Sequence, residues 1–347
     1  MVGNRIAILT DTHFGARKGN QLFHEYFQRF YEDTFFPTLD RNRITDVVHC
    51  GDCFDNRKTI DYWSLNWSKE HFFDPLLERG IRLHLVVGNH DIFYKQSTKI
   101  NAPTLNLAEY DNITVYSQPE TATVAGVQVF MVPWICEDNA EEFTEALDQT
   151  PADICMGHLE LAGFYANKDY QCQHGTDAKV FNKFGTVFSG HFHKKSTSGN
   201  ITYLGNTYQM YWNDEGEERG FHLFDLESRE LEYIVNPYKM FHKIFYDEKN
   251  QKLVNYNKYK DTYVKVIVEG KSTPIRLSRV VDSLFDAGVH DVKVIENLEL
   301  ELEGDIEVEA EDTLTTLTKY VEGMEEDYNK QNIINIFKSL YVEAQEV

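Results

Sequence analysis

The sequence predicts an α/β fold: a layered β-sandwich flanked by helices, followed by a small α+β domain and C-terminal helices. Short β-branched runs alternate with helical stretches from the start to about residue 195, which is typical of a layered α/β domain. A second pattern of strand, helix and strand follows Pro237. The 347 residues are 42% hydrophobic and 14% aromatic, so the chain can form one large domain and a smaller one.

In the large domain, strands are predicted at residues 6–9, 46–50, 83–87, 127–132, 153–156 and 186–189. Ala125 and Gly126 lie between alternating runs and predict a hairpin turn. A helix with an aromatic face is predicted over residues 20–36, where five aromatic residues recur at helical spacing: Phe23, Phe27, Phe30, Tyr31 and Phe35. Runs at 201–204, 221–226 and 230–235 are expected to be antiparallel strands that close this domain.

The smaller domain begins after the break at Pro237. Residues 263–268 alternate as a strand, and 292–295 form another. Between them, Thr273 can cap a helix that begins at Pro274 and ends at Gly288. The acidic stretch 298–312 is interpreted as an edge strand or a linker, and 313–347 as short helices. The predicted divisions are therefore 1–237, 238–297, 298–312 and 313–347.

The net charge of -22 argues against a protein that holds nucleic acid by bulk electrostatics, because such binding relies on Lys and Arg. More than half of this excess lies at the end, where residues 291–347 have 16 acidic and 4 basic residues. Apolar residues form stripes on the helices predicted there: Leu314, Leu317, Val321, Met324, Ile333, Phe337 and Leu340. Short helices need something to pack on, so a partner groove is expected to cover them.

The apolar runs are far shorter than the roughly 18 residues of a membrane span, and the N-terminus lacks the pattern of a signal peptide. We therefore expect a cytoplasmic protein with no membrane partner. Five cysteines at irregular spacing favour reduced thiols over a disulfide framework. Cys50 and Cys53 form a C-x-x-C, but no second pair follows at zinc-ribbon spacing, which disfavours a thiol metal site.

Clusters of Asp, Asn and His follow five of the predicted strands. They are Asp11-Thr12-His13, Gly51-Asp52 with Asp55, Gly88-Asn89-His90-Asp91, Gly157-His158, and Gly190-His191-Phe192-His193. Any one of them alone is more often a hydrogen-bonded turn than a metal site. Because the carboxyl ends of strands line the ligand crevice of layered α/β sheets, the five clusters are expected to converge on one site.

Carboxylate, amide oxygen and neutral imidazole suit borderline divalent ions such as Mn²⁺, Fe²⁺ or Zn²⁺. Seven such residues are more than one ion needs, and a shared carboxylate could bridge two ions at roughly 3.5 to 4 Å. The histidines outside the clusters are expected to be structural or surface residues: His24, His49, His71, His84, His174, His222, His242 and His290.

In this order the clusters resemble the calcineurin-like metallophosphoesterase superfamily over roughly residues 5 to 195. Residues 51–55, 87–91 and 190–193 resemble the SbcD and Mre class of DNA-repair nucleases. Residues 133–137 (Pro-Trp-Ile-Cys-Glu) and 340–344 (Leu-Tyr-Val-Glu-Ala) are closer still to the small recombination-endonuclease subunits of T-even-type phages.

The resemblance implies a metallophosphoesterase β-sandwich with two divalent ions, expected to be Mn²⁺, with Mg²⁺ or Fe²⁺ as alternatives. It implies two sets of ligands and a bridge: Asp11, His13 and His193 for one ion, Asn89, His158 and His191 for the other, and Asp52 between them. His90 would act on the phosphate, and Asp91 would orient it. Archaeal and eukaryotic relatives often carry a histidine where this chain has Asp55.

The same resemblance implies in-line hydrolysis of DNA phosphodiesters, as a duplex exonuclease and single-strand endonuclease of recombination and repair. It also implies an SMC-type ATPase on a separate chain, with a homodimer of this chain inside a heterotetramer. Residues 240–296 resemble the family's DNA-facing capping domain, and the C-terminal helices its partner-docking segment. Two alternatives stay open: an esterase of small phosphodiesters or phosphoproteins, and a metal-free binding module of the same fold.

Overall fold

The structure is a computed structural model that describes residues 5–165, 171–173, 175–249, 254–269 and 272–296. The chain divides into two units, Met1–Val294 and Ile295–Val347. Because the described residues end at 296, the predictions for 298–312 and 313–347 lie outside them.

Strands and helices alternate through the first half of the chain, as predicted. The strands are β1 (Arg5–Leu9), β2 (Asp46–His49), β3 (Arg82–Val86), β4 (Ile92–Tyr94), β5 (Ser97–Asn101), β6 (Ile113–Tyr116), β7 (Glu120–Val124), β8 (Val127–Val132), β9 (Ile154–His158), β10 (Thr186–Gly190), β11 (Ser196–Ser198), β12 (Ile201–Tyr203), β13 (Gly220–Asp225), β14 (Leu231–Val235), β15 (Phe241–Tyr246), β16 (Tyr263–Val268) and β17 (Asp291–Ile295). The α-helices of five or more residues are α1 (Gln21–Phe30), α2 (Phe36–Asn42), α3 (Tyr62–Ser68), α4 (Asp74–Glu78), α5 (Ala102–Asn106), α6 (Ala140–Gln149) and α7 (Pro274–Asp286). Among the described residues, no helix is both long enough and apolar enough to cross a membrane.

Two six-stranded sheets form most of the first unit, in the orders β14-β13-β1-β2-β3-β6 and β11-β12-β10-β9-β8-β7. In the first sheet β1, β2, β3 and β6 are parallel to one another. β13 pairs antiparallel with β1, and β14 pairs antiparallel with β13. In the second, β12, β10, β9 and β8 are parallel, with antiparallel β7 and β11 at the edges. Parallel strands are buried on both faces and have near-continuous apolar sequences. Such runs can be recognised in the sequence, so these strands could be predicted.

The two sheets pack face to face. Ile8 of β1 and Val48 of β2 share one buried core with Met131 of β8 and Met156 of β9. The helices α1 and α2 contribute to a second, aromatic core with the first sheet, and α6 contributes to a third with the second sheet. The predicted β-sandwich flanked by helices is confirmed.

The predicted aromatic helix face is buried, and all five of its rings belong to the core of the first sheet. Asn20 begins the helix, since its side chain accepts hydrogen bonds from the N–H groups of Leu22 and Phe23. The single helix predicted over 20–36 consists of α1, a π-helical turn at Tyr31–Phe35 and the start of α2.

The prediction of antiparallel strands after residue 200 is correct for β13 and β14 and wrong for the main pairing of β12. β12 pairs parallel with β10 in the second sheet, whereas β13 and β14 belong to the first. The connecting segment crosses between the sheets, and Oγ1 of Thr207 donates to the Thr10 carbonyl oxygen at 3.0 Å. An apolar run predicts a strand but carries no information about its distant partner.

The small sheet β15-β16-β17 packs with α7 around its own core, which includes Ile244, Val266 and Leu284. Pro274 begins α7 as predicted. Phe241 and Tyr263 also contact Phe23 of α1, with ring centroids 6.0 and 5.7 Å away. A division after residue 237 stays a prediction, because both sides of it lie in the first unit.

Candidate metal centre

All five clusters lie at the carboxyl ends of central strands. β1, β2 and β3 are neighbours in the first sheet, and β9 and β10 are neighbours in the second. Six of the side chains form two groups, within each of which the candidate ligand atoms lie less than 4.8 Å apart: Asp11, His13 and His193 in the first group, and Asp52, His158 and His191 in the second. The predicted convergence of the clusters is therefore observed.

Asp52 connects these groups, and Asn89 adds a donor to the second. Oδ2 of Asp52 lies 3.1 Å from Nε2 of His158 and 3.9 Å from Nε2 of His13. Oδ1 of Asn89 lies 2.9 Å from Nε2 of His158 and 3.0 Å from Nδ1 of His191. Asp52 thus lies between the two groups, and Asn89 lies in the second.

The backbone of the site adopts an uncommon conformation. Four of the seven residues have φ in the left-handed region: Asp11 at 52°, His13 at 44°, Asp52 at 52° and His191 at 86°. Hydrogen bonds between turns hold them, since Asp11 N–H donates to the Gly51 carbonyl at 3.0 Å and His13 N–H to that of Asp52 at 3.1 Å. Such strain, on the order of 1–3 kcal/mol per residue, clusters at functional sites.

Two glycines let the sheets approach each other at the site. A Cβ on Gly51 would lie 2.4 Å from Nδ1 of His158. A Cβ on Gly190 would lie 2.0 Å from Oγ1 of Thr10 and 2.5 Å from the Cys50 carbonyl oxygen. Any larger residue would force the turns apart, so the close approach requires glycine at both positions.

The donor set fits divalent ions. The residue His13 is 1% exposed, and neither of its ring nitrogens has an aligned hydrogen-bond partner. Its Nε2 lies 3.9 Å from both Oδ1 of Asp11 and Oδ2 of Asp52. A buried polar atom without a partner is costly, and a cation between these groups would satisfy it. Carboxylate, amide and imidazole donors without thiolates suit borderline ions.

The charges of the site depend on one another. Burial would lower the pKa of His13 and of His158, but neighbouring carboxylates outweigh burial and raise both pKa values to about 9. Burial raises the pKa of Asp11. Burial would also raise the pKa of Asp52, but His158 and His90 hold it well below its usual range. Without ions the imidazoles of His13 and His158 therefore hold protons, which bound cations displace.

His158 is oriented as a ligand should be. Its Nδ1 lies 2.8 Å from the Cys50 carbonyl oxygen and donates to it, which directs Nε2 toward Asp52 and Asn89. A metal-binding histidine commonly uses its second nitrogen in this way.

His90 and Asp91 have different partners. The N–H of His90 donates to Oδ1 of Asp52 at 2.8 Å, and its Nδ1 lies 2.7 Å from the Asp55 carbonyl oxygen. The carboxylate of Asp91 is buried and accepts three backbone N–H groups of the turns after β2 and β3. Asp91 therefore holds the two turns, and Asp55 orients the ring of His90, a contact that the sequence did not predict.

Three further side chains border the site without having been predicted. Oγ1 of Thr10 donates to Oδ2 of Asp11 at 2.6 Å. The rings of Trp134 and His191 are 5.0 Å apart, and Oε1 of Glu160 lies 3.6 Å from Nε2 of His191. Trp134 and Glu160 line a cavity of about 190 Å³. Thr10 and Glu160 lie within two residues of a cluster and could have been found, whereas Trp134 comes from a separate segment.

The cysteines are free thiols, as predicted, in the part of the chain that is described. All five cysteines are free and buried, and burial raises the pKa of Cys50 and Cys53, so neither is a thiolate. Within the described ranges, the candidate metal groups include no cysteine and no histidine from outside the clusters. His174 lies outside the described residues.

Comparison with known proteins defines the class. The family model for calcineurin-like phosphoesterases matches residues 4–195, the region that carries all five clusters. The chain belongs to this family and is a metallophosphoesterase. The resemblance stated from the sequence is confirmed.

Two relatives are similar over most of the chain. Exonuclease subunit 1 of Enterobacteria phage T4 is 33% identical over 347 residues, which is 98% of this chain and 99% of the phage protein. The uncharacterized metallophosphoesterase YhaO of Bacillus subtilis is 22% identical over 356 residues, covering 90% of this chain and 84% of its own. A solved archaeal phosphodiesterase aligns with 67% of this chain and 99% of its own at 11% identity and a TM-score of 0.35, a likeness too weak to inform the fold.

Proposed function

We propose that this chain is the nuclease subunit of a DNA recombination or repair complex. It hydrolyses DNA phosphodiesters, as a duplex exonuclease and a single-strand endonuclease. The observation that carries the proposal is the seven-residue site at the strand ends, in a chain that aligns from end to end with an exonuclease subunit.

The seven residues are proposed to hold two Mn²⁺ ions. The ligands are Asp11, His13 and His193 for one ion, Asn89, His158 and His191 for the other, and Asp52 as the bridge. When bound, such a pair lowers the pKa of water and offsets the charge that develops on the phosphate. The distances of Asp52 from His158 and from His13 support its place as the bridge.

His90 is proposed to act on the phosphate and not to hold an ion. Its ring lies beside that of His13, with centroids 4.9 Å apart, and its Nδ1 is already engaged by the Asp55 carbonyl. When the ring is an imidazolium, its Nε2 then donates a proton to the leaving oxygen or stabilises the phosphate oxygens. Asp91 supports this role indirectly, because it holds the backbone from which His90 and Asp52 project.

An SMC-type ATPase is the proposed partner. The name of the phage relative describes a subunit, and this sequence has no Gly-x-x-x-x-Gly-Lys-Ser/Thr motif for binding ATP itself. Residues 313–347 are proposed to dock the ATPase by their apolar stripes, and 238–297 to form the DNA-facing capping domain. We further propose a homodimer of this chain within a heterotetramer, in the cytoplasm.

One assay distinguishes this function from its alternative. Hydrolysis of linear duplex DNA and of bis(4-nitrophenyl) phosphate is measured with Mn²⁺, with and without the ATPase. The chain alone is expected to cleave the small diester, and rapid degradation of duplex should need the ATPase and ATP. Cleavage of the small diester with no attack on duplex in either condition would favour an esterase of small phosphodiesters or phosphoproteins.

Deletion of residues 313–346 tests the docking segment. The net charge of -22 repels a phosphate backbone, so the chain alone should bind duplex weakly and the ATPase should supply most of the affinity. The truncated protein is expected to lose co-purification with the ATPase and ATP-dependent exonuclease action, yet keep Mn²⁺-dependent hydrolysis of the small diester. Complex formation by the truncated protein at micromolar concentration would refute the assignment.

A further inference from the structure

Asp55 contacts two histidines of the site by two different atoms. Its carboxylate oxygen Oδ1 lies 3.3 Å from Nδ1 of His13. Its carbonyl oxygen lies 2.7 Å from Nδ1 of His90. Its own N–H donates to the Phe14 carbonyl at 3.1 Å, which ties the turn after β2 to the turn after β1. The ligand roles proposed above leave this residue without a function.

The side chain of Asp55 lies on the outer side of the His13 ring. Nε2 of His13 faces Asp11 and Asp52, so the ring presents its other nitrogen to Asp55. An imidazole that binds an ion through Nε2 must carry its proton on Nδ1, and a carboxylate that accepts this proton fixes the tautomer and the ring plane. The 3.3 Å contact lacks hydrogen-bond alignment, as contacts in ligand-free sites often do.

The backbone of Asp55 has a separate task. A carbonyl oxygen can only accept, so Nδ1 of His90 must be the donor in the 2.7 Å contact. This contact does not depend on the Asp55 side chain. A substitution at position 55 can therefore remove the support of His13 while the support of His90 remains.

We propose that Asp55 is a positioning residue whose carboxylate holds the His13 ring for the ion bound by Asp11, His13 and His193. Its carbonyl holds the His90 ring at the same time. One residue thus sets the spacing between a metal ligand and the group that acts on the phosphate. The inference rests on the metal roles proposed above, but not on DNA as the substrate.

Calorimetric titration of the full chain with Mn²⁺ tests the proposal. Asp55→Ala should weaken one of the two binding steps by about 10- to 100-fold, the usual effect of losing the partner of a ligand histidine, and leave the other step unchanged. Asp55→Asn should restore much of the loss, because its amide oxygen can still accept the Nδ1 proton. Asp40→Ala is the matched control, since that carboxylate is exposed and pairs with Arg79 outside the site.

Two more measurements separate positioning from a general loosening of the turn. Histidine ¹⁵N NMR should show Nδ1–H of His90 unchanged in Asp55→Ala, and turnover of bis(4-nitrophenyl) phosphate should approach the wild-type value at saturating Mn²⁺. Equal weakening of both steps, or no weakening, overturns the proposal. If Asp55→Ala is unstable, Asp55→Leu compared with Asp55→Asn gives the same decision.

These results are independent of the nuclease assignment. Ion binding is measured without DNA, so a wild-type chain that binds two ions but leaves duplex intact would refute the proposed function alone. Normal nuclease action with unaltered ion binding in Asp55→Ala and Asp55→Leu would refute the role of Asp55 alone.

Discussion

Among the seven proposed ligands, the first sheet contributes three oxygen donors and the imidazole of His13, whereas the second contributes imidazoles alone. The turns of the first sheet supply every oxygen donor, from Asp11, Asp52 and Asn89, and the turns of the second supply three imidazoles: His158, His191 and His193. The groups meet across the sandwich, where Asp52 lies 3.1 Å from His158 and Asp11 lies 3.7 Å from His193. The site therefore requires both sheets, and its geometry is set by how they pack.

The largest effect is expected at Asp52, whose carboxylate lies between donors from the two sheets. Asp52→Asn removes the carboxylate between the groups, so both ions and essentially all turnover should be lost. The fold should remain, because the packing of the cores does not involve this side chain. Calorimetry with Mn²⁺, circular dichroism and diester hydrolysis measure the three properties, and two ions still bound or near-normal cleavage would contradict the bridging role.

His90→Asn should have a smaller effect, confined to chemistry. Turnover should fall by about 10² to 10⁴, the range for a positioned proton donor, while both ions still bind. His90 follows β3 of the first sheet, as the proposed ligand Asn89 does, but is proposed to hold no ion. This variant therefore distinguishes a metal ligand from a neighbouring residue that acts only on the phosphate. Anomalous scattering at the Mn edge checks occupancy, and an empty position would refute the separation of roles.

The number of protons released when ions bind tests whether histidines of both sheets are ligands. His13 of the first sheet and His158 of the second each have a pKa of about 9, so both are protonated at pH 7. Each must lose its proton to bind a cation, so filling both positions should release about two protons, and Mn²⁺ affinity should rise with pH up to about 9.

Calorimetry in buffers of different ionisation enthalpy counts these protons. The variants His13→Asn and His158→Asn should each release one fewer than the wild type. Release unchanged in both variants would show that these imidazoles carry no proton in the ion-free site.

The smallest effect concerns an imidazole of the first sheet that belongs to none of the five clusters. His222 of β13 is buried, and burial and Lys195 lower its pKa to about 3. Its neutral form stabilises the fold above pH 6.5, and this contribution is lost as the pH falls toward 3. His222→Phe should therefore lose less stability on acidification, by up to about 1.4 kcal/mol per pH unit below 6.5. Urea unfolding at pH 7, 6 and 5 measures this, and parallel losses in both proteins would contradict it.

Much of the site could be predicted because its residues follow strands that the sequence also marks. Buried parallel strands such as β1 and β9 have largely apolar sequences without alternation, and Asp, Asn or His at or directly after their ends is a local signal. Contacts made by backbone atoms leave no such signal. The Asp55 carbonyl on His90 and the parallel pairing of β12 with β10 depend on long-range packing, which no short segment of sequence encodes.

Gly51 and Gly190 have a consequence for how such an enzyme can diversify. At both positions atoms from the opposite sheet occupy the space that a side chain would need, so a substitution there would force the two sheets apart at the site. New substrate preferences must then arise at the periphery, for example on the hairpin β4–β5 beside His90, where Phe93 and Tyr94 are exposed. Substitutions of these exposed residues leave the close approach of the two sheets unchanged, whereas substitutions of the two glycines do not.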